Sequence, residues 1–456
     1  MELTIADAGR GLRAGTFSAT ELLTEVTRLG DRLDGTLNVY VARFDESARR
    51  AAAAADRELA AGLDRGPLHG IPVGVKDLIF TREGPTLAGT DVRNPAWQRP
   101  TDAAVVSNLR AAGAVITGKT TTAELAVGTP EAGRLERESR NPWDADRWAG
   151  GSSAGSGAGV AAGMFAAGIG SDTGGSIRLP AAYCGIVGLR PTFGLVPRAG
   201  TIALSPSLDV VGPLTRTAAD SAVVLRALAG ADGADRAGDL SRELGRSLRG
   251  LRLGVERVPE AGSEMAACLD AAVEELAGAG AEVREVELPH YEPAVSAVLV
   301  TLFAEGFAEH TVALREQWSS FGVSTRRILA QGALLSAADY VNARKARGAV
   351  RRLVIDLYRD LDVIVSATAI AEAPPLDAID LDDLTATIRT DYWSAIGNPV
   401  ISVPIGFGDR DMPLGMQIAG RPFEDATVLG VADAYQQLTD WHQRVPPMVA
   451  AERGRA

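Results

Sequence analysis

Strand-like and helix-like segments alternate along this chain, which predicts an α/β fold around a largely parallel or mixed central sheet. Two further observations agree. Hydrophobic residues make up 46% of the 456 and charged residues 23%, which suits a soluble globular protein with a sizeable core. No internal repeat or low-complexity linker interrupts the chain, whose length suits one large α/β domain or two to three ordinary ones.

The opening is helical. Ser18-Ala19-Thr20-Glu21 has the capping-box form, with Phe17 and Leu22 placed as a hydrophobic staple. The alanine- and charge-rich stretch 45–61 predicts a second helix. Residues 67–79 turn β-branched and read as a turn plus a strand, with Lys76 near its end. Residues 109–117 read as a helix end followed by the short strand 114–117, and Thr122 opens a further helix. The segment 155–167 is built of small residues and predicts a buried, closely packed helix. A short strand near Ile169, a turn at 171–175 and a new helix from about Ile177 follow. Strands at 251–255 and 282–286 flank a helix at 265–279. Helices dominate 295–357, and strands return at 363–366 and 400–404. The polar stretch 230–250 reads as a surface excursion.

A net charge of −12 argues against an electrostatically driven grip on nucleic acid or an anionic membrane. Cys184 and Cys268 make neither a disulfide framework nor a zinc-ligand spacing, so a reducing compartment is expected. The N-terminus lacks the basic and apolar regions of a secretory signal. The small-apolar run 158–169 is too short and glycine-rich to span a bilayer. A cytoplasmic location is the expectation. Of 46 basic residues only Lys76, Lys119 and Lys345 are lysine. Base composition accounts for such a bias. Even so, a desolvated amine can deprotonate near neutral pH, whereas a guanidinium cannot.

Three patterns compete for the chemistry. The run from Gly113 to Thr120 has P-loop spacing, but residues 114–117 are themselves the strand where a phosphate loop should be. Lys119 is therefore expected to be structural. Gly151-Ser152-Ser153-Ala154-Gly155 fits the G-x-S-x-G elbow centred on Ser153. Its preceding residues make a poor strand, and His69, His290, His310 and His442 stand in no distinctive setting. The third pattern is the whole run 150–178, in which two serine-bearing glycine loops flank the small-residue helix. Glycines this dense serve close backbone approach, or N–H groups aimed at a developing oxyanion. Ser176 sits at a turn entering a helix, and a helix with a returning strand can bring Ser152 to the same sheet edge.

The run GGSSAGSGAGVAAGMFAAGIGSDTGGSIRLPAAYCGIVGLRPT resembles the signature of the amidase signature family. GIPVGVKD, GAVITGKTTTAEL, RNPWD, GNPVISVPIGF and PLGMQIAGRPF also have counterparts there. The core motifs fall in about 65–220, and the likeness thins over about 289–392, where variation with substrate is expected. The resemblance implies a single domain over residues 1–456 with the amidase signature fold, a mixed central sheet covered by helices on both faces. It implies Lys76 as base, Ser152 as a bridging serine in a cis peptide and Ser176 as nucleophile. Thr173, Gly174, Gly175 and Ser176 match the oxyanion loop. Ala154 and Gly157 depart from the commoner GGSSGGSA, and the charged run 131–140 is insertion-like.

A serine nucleophile needs an adjacent base, and burial can keep Lys76 neutral for that task. Ser152 would relay the proton and later deliver one to the leaving nitrogen. No metal, nucleotide or histidine is required, and no cofactor is expected. Asp172 is expected to tie down the oxyanion loop, and Cys184 reads as a buried small side chain. The resemblance places the substrate pocket at 295–340, with Gly128 and Thr129 as binding residues. Phe303, Phe307, Trp318, Phe321 and Tyr340, with Tyr392 and Trp393, read as core more than as pocket. The expected function is a stand-alone hydrolase of amides, extending to aryl esters and carbamates (urethanes). Its partner would be the small-molecule substrate, with a homodimer as candidate assembly and neither nucleic acid nor membrane. The alternatives are the glutaminase component of a tRNA-dependent amidotransferase, which needs partner subunits, and a non-catalytic scaffold or binding subunit.

Overall fold

The computed structural model describes residues 4–379 and 386–454. In chain order its strands are β1 (Tyr40–Arg43), β2 (Pro72–Lys76), β3 (Val115–Thr120), β4 (Ala167–Asp172), β5 (Val187–Arg190) and β6 (Val210–Thr215). The rest are β7 (Arg252–Val255), β8 (Glu282–Glu285), β9 (Val363–Ala367), β10 (Val400–Phe407) and β11 (Pro413–Ala419). They form one sheet in the order β1-β3-β2-β4-β6-β5-β10-β11-β9-β7-β8. β2 runs parallel to β3 and β4, and β7 runs parallel to β8 and β9. The other neighbours pair antiparallel, so the sheet is mixed.

The two faces differ in texture. Alternation along β2 turns Val73 and Val75 to one side and Gly74 and Lys76 to the other. On the first side Val73, Val75, Val115, Ile169, Val403 and Met416 join the main apolar core. The helices Ala19–Leu37, Asp45–Ala60, Ala218–Ala237, Ser263–Gly278 and Asp425–Leu438 cover it.

On the second side glycines leave much of the central strands bare. A methyl group at Gly74 would stand 2.7 Å from Phe165, and one at Gly188 would stand 2.6 Å from the Ala181 methyl. At Gly168 it would meet the Ser156 carbonyl oxygen at 2.8 Å. This absence of side chains lets the helices Ala154–Ala161 and Arg178–Cys184 lie directly on backbone. Further along the same side, Tyr291–Glu316, Ala337–Leu357 and Asp391–Ile396 pack on Ile364, Val400 and Ala419 through ordinary side chains.

Many sequence expectations hold. The Ser18–Glu21 capping box opens Ala19–Leu37, and the strand carrying Lys76 ends at that residue. Others shift. The small-residue helix stops at Ala161, because Gly163 at φ 72° turns the chain and Phe165 tucks under Gly74. Thr122 opens no helix; a short 3-10 turn, Glu124–Ala126, follows it, with Leu125 at φ 50°. The polar stretch at 230–250 begins inside the helix Ala218–Ala237, and its Leu240 and Leu248 are buried in the main core. The helix Tyr291–Glu316 is long and apolar enough to cross a membrane by length and composition. Here it packs on its helical neighbours and brings Leu299, Leu302 and Phe303 to a cavity.

Candidate active site

Lys76 closes β2, and Ser171 and Asp172 close its parallel neighbour β4, so all three reach the same end of the sheet. Gly150 and Gly151, at φ 91° and 49°, turn the chain into the helix Ala154–Ala161 and present Ser152 and Ser153 there. The second glycine loop lies against this turn. The Ser153 N–H donates to the Ser176 carbonyl at 3.2 Å, and a Cβ on Gly151 would stand 3.0 Å from the Ser176 Cα.

The Lys76 side chain is completely buried. Its Nζ lies 2.6 Å from Ser152 Oγ, 2.9 Å from Ser171 Oγ and 3.0 Å from Ser153 Oγ. Among the described residues no carboxylate forms an ion pair with it. Burial pushes its pKa from the ordinary lysine value down to about 7, against the weaker pull of Asp172 and Asp209. The Ser153 hydroxyl donates to the Ser171 carbonyl at 3.2 Å, so toward Lys76 it acts as an acceptor.

Asp172 organises the second loop, as the sequence suggested. It accepts from the Gly175 N–H at 2.9 Å, the Ile177 N–H at 3.2 Å, two Arg178 nitrogens at 3.0 Å each and Arg190 Nη1 at 3.0 Å. Burial opposes its charge, but the guanidiniums of Arg178 and Arg190 win and hold it well below the usual carboxylate range. Thr173 Oγ1 donates to Asp209 Oδ1 at 2.6 Å, anchoring the loop's other end. Asp172→Asn leaves two buried guanidiniums without a counterion. The expected result is a loss of about 3–5 kcal/mol in unfolding free energy, read by urea denaturation.

Ser152 and Ser176 line a common cavity of about 350 Å³, with Thr173, Gly174 and Gly175 as its polar side. Trp148, Leu179, Leu299, Leu302, Phe303 and Ile328 make most of its apolar wall. Gln331 and Asp391 add two polar side chains.

Several expectations need correction. No cis peptide occurs among the described residues; the two left-handed glycines make the turn at Ser152 with trans bonds. Of the four expected oxyanion donors, the Gly175 N–H is directed at Asp172 Oδ1 instead. Gly128 lines the cavity, whereas Thr129 does not and is tied to Ser324 Oγ at 3.1 Å. The aromatic set, in contrast, behaves as expected of core more than pocket, and only Phe303 reaches the cavity. Phe307 and Phe321 belong to a neighbouring core cluster, Trp393 is fully buried, and Tyr392 stacks on Tyr291 at 5.5 Å. Tyr340 donates to Glu305 at 2.7 Å, and Trp318 is exposed.

Lys119 lies within β3, 3.1 Å from Asp77 and donating to Thr86 and the Ile79 carbonyl, so it is structural as expected. Cys184 is buried and donates to the Ala149 carbonyl at 3.3 Å. No histidine lines the cavity among the described residues. Sequence reasoning missed Ser153 and Ser171 as partners of Lys76, and Trp148 and Asp391 as lining residues. The serine pair was in view in the motif; its convergence on Lys76 depends on the β2–β4 register.

The family model described as Amidase matches residues 21–429. A glutamyl-tRNA(Gln) amidotransferase subunit from Halorhodospira halophila is 38% identical over 485 residues, covering 97% of this chain and 98% of that protein. The native peptide amidase from Stenotrophomonas maltophilia superposes with a TM-score of 0.85 at 32% identity, covering 97% and 98% of the two chains. A chain from a vestigial protein complex, described as revealing the origins of an s-triazine catabolic enzyme, gives a TM-score of 0.87 at 31% identity. It covers 95% of this chain and 98% of its own.

Proposed function

Because the chain belongs to the amidase family, we propose that it hydrolyses the C–N bond of a small amide, with Ser176 as nucleophile, Ser152 as relay and Lys76 as base. The observation that carries this reading is Lys76, a buried amine without a carboxylate partner, 2.6 Å from Ser152 Oγ. A neutral amine has two N–H donors and one lone pair. With the donors turned to Ser153 and Ser171, the lone pair receives the Ser152 proton.

Ser176 Oγ attacks the carbonyl carbon as its proton passes to Ser152 and the Ser152 proton passes to Lys76. The free N–H groups of Thr173, Gly174 and Ser176 hold the tetrahedral oxyanion; losing a donor of that kind costs roughly 10²–10³ in rate. Lys76 returns the proton through Ser152 to the leaving nitrogen, the C–N bond breaks, and the acyl group stays on Ser176. Water then attacks that ester by the same relay and releases the acid.

Ser153 takes part only as an acceptor for Lys76. Ser153→Ala is therefore expected to lower kcat/KM about 3- to 10-fold, the scale of one lost hydrogen bond. A loss as deep as that of a Ser176 variant would instead make Ser153 the nucleophile.

The cavity wall supports an apolar acyl group, in an amide first and in an aryl ester or carbamate by the same chemistry. No lysine or arginine lines it among the described residues, whereas the α-carboxylate of glutamine calls for one. The second reading is a glutaminase that works with partner subunits. It is favoured by the names of the curated relatives, which match over the full chain. The two separate in one assay: release of ammonia or amine from glutamine, aryl amides, aryl carbamates and small polar amides by the purified chain. Turnover of apolar amides without partners is expected. Activity confined to glutamine, or gained only with partner subunits, moves the assignment to the glutaminase. A chain whose Ser176 resists a serine-reactive fluorophosphonate is the non-catalytic subunit instead.

A further inference from the structure

Asp391 is the one charged side chain lining the cavity among the described residues, and no step above uses it. It opens the helix Asp391–Ile396 and is only 6% exposed. Its carboxylate accepts no hydrogen bond from the described residues. The nearby guanidiniums point elsewhere. Arg178 donates to Asp172, Gln417, Ser394 and the Thr390 carbonyl, and Arg190 to Asp172 and the Leu208 carbonyl. A methyl group on Gly174 would stand 2.5 Å from Asp391 Oδ1, so the bare loop is what lets this carboxylate reach the cavity.

We propose that Asp391 is a specificity-determining residue that binds an ammonium group on the substrate. The preferred substrates are then amides with an amino group near the scissile carbonyl on an otherwise apolar skeleton. This rests on the reading of Ser176 as nucleophile. Asp391 lies beside Gly174, in the loop proposed to hold the oxyanion, and lines the same cavity as Ser176, so a group it holds is a few atoms from the scissile bond. A buried carboxylate lacking a donor is costly, and a cationic donor from the ligand relieves that cost. Burial pushes Asp391 up to about 7 despite the arginines behind it, as expected of an under-compensated acid. The same charge disfavours substrates whose carboxylate would enter this wall.

The test compares leucinamide with 4-methylpentanamide, the same skeleton without the amine, on the wild type and on Asp391→Asn at pH 7. The wild type is expected to prefer leucinamide at least about tenfold in kcat/KM. Asp391→Asn should lower kcat/KM for leucinamide about 10- to 100-fold, mainly through KM, and leave 4-methylpentanamide within about twofold. Protection of Ser176 from a fluorophosphonate by each amide is read alongside, so that slow substrates still report binding. An equal loss on both amides overturns the inference in favour of a purely structural role beside Arg178. So does a wild type that turns over or binds the two alike. If Ser176 takes no label at all, the nucleophile reading falls and the inference falls with it. If it takes the label without preference for the amine, only the inference falls.

Discussion

Ser176→Ala should abolish turnover while leaving the protein folded. The scale is on the order of 10⁶-fold in kcat, as for loss of a serine nucleophile in other hydrolases. The fold should survive because the hydroxyl takes part in no hydrogen bond among the described residues, whereas the Ser176 backbone, retained in the variant, anchors the Ser153 N–H. Unfolding midpoints within experimental error of wild type, together with lost fluorophosphonate labelling, would meet this expectation. Substantial residual turnover would reassign the nucleophile.

The second large effect is at Lys76. Lys76→Arg keeps a cation at the end of β2 but removes a base that can be neutral near pH 7, so a fall of roughly 10²–10⁴ in kcat/KM is expected. The pH profile gives the sharper signature. Burial has lowered the lysine pKa to about 7, so below that pH the amine is protonated and, on the proposed relay, cannot take the Ser152 proton. Wild-type kcat/KM on an uncharged amide should therefore rise with pH through about 7 and level off above it. In Lys76→Arg that limb should vanish. A limb that persists unchanged in the variant would assign the titration to another group.

How much of this was legible beforehand follows from what each feature depends on. Lys76, Ser152 and Ser176 lie inside local motifs, and Asp172 stands just before the loop, six residues from the Arg178 it pairs with, so the roles proposed for them are ones that short windows suggest. The meeting of three serine hydroxyls at Lys76 depends on which strands pair, and adjacent strands β2 and β4 are far apart in the chain. β5 and β6 were missed because Gly188, Gly212 and Pro213 interrupt their apolar pattern. Those glycines pack against helices and neighbouring strands, an influence that no propensity contains. Asp391 lies where the family likeness is thinnest, and only the approach of its helix to Gly174 gives it meaning. The cis peptide came from resemblance alone, and the two left-handed glycines do that turning here.

The bare side of the sheet divides the enzyme into parts that can and cannot drift. Ser152, Ser153 and Ser176 are set by helices seated on main chain, where even one added methyl group at Gly168 or Gly188 collides. Leu299, Leu302 and Phe303 hang from the helix Tyr291–Glu316, which packs farther along through side chains, where one aliphatic shape can replace another. Substitution can therefore retool the wall of the cavity without moving the three serines. Chemistry and selectivity are inherited on separate terms within one sheet.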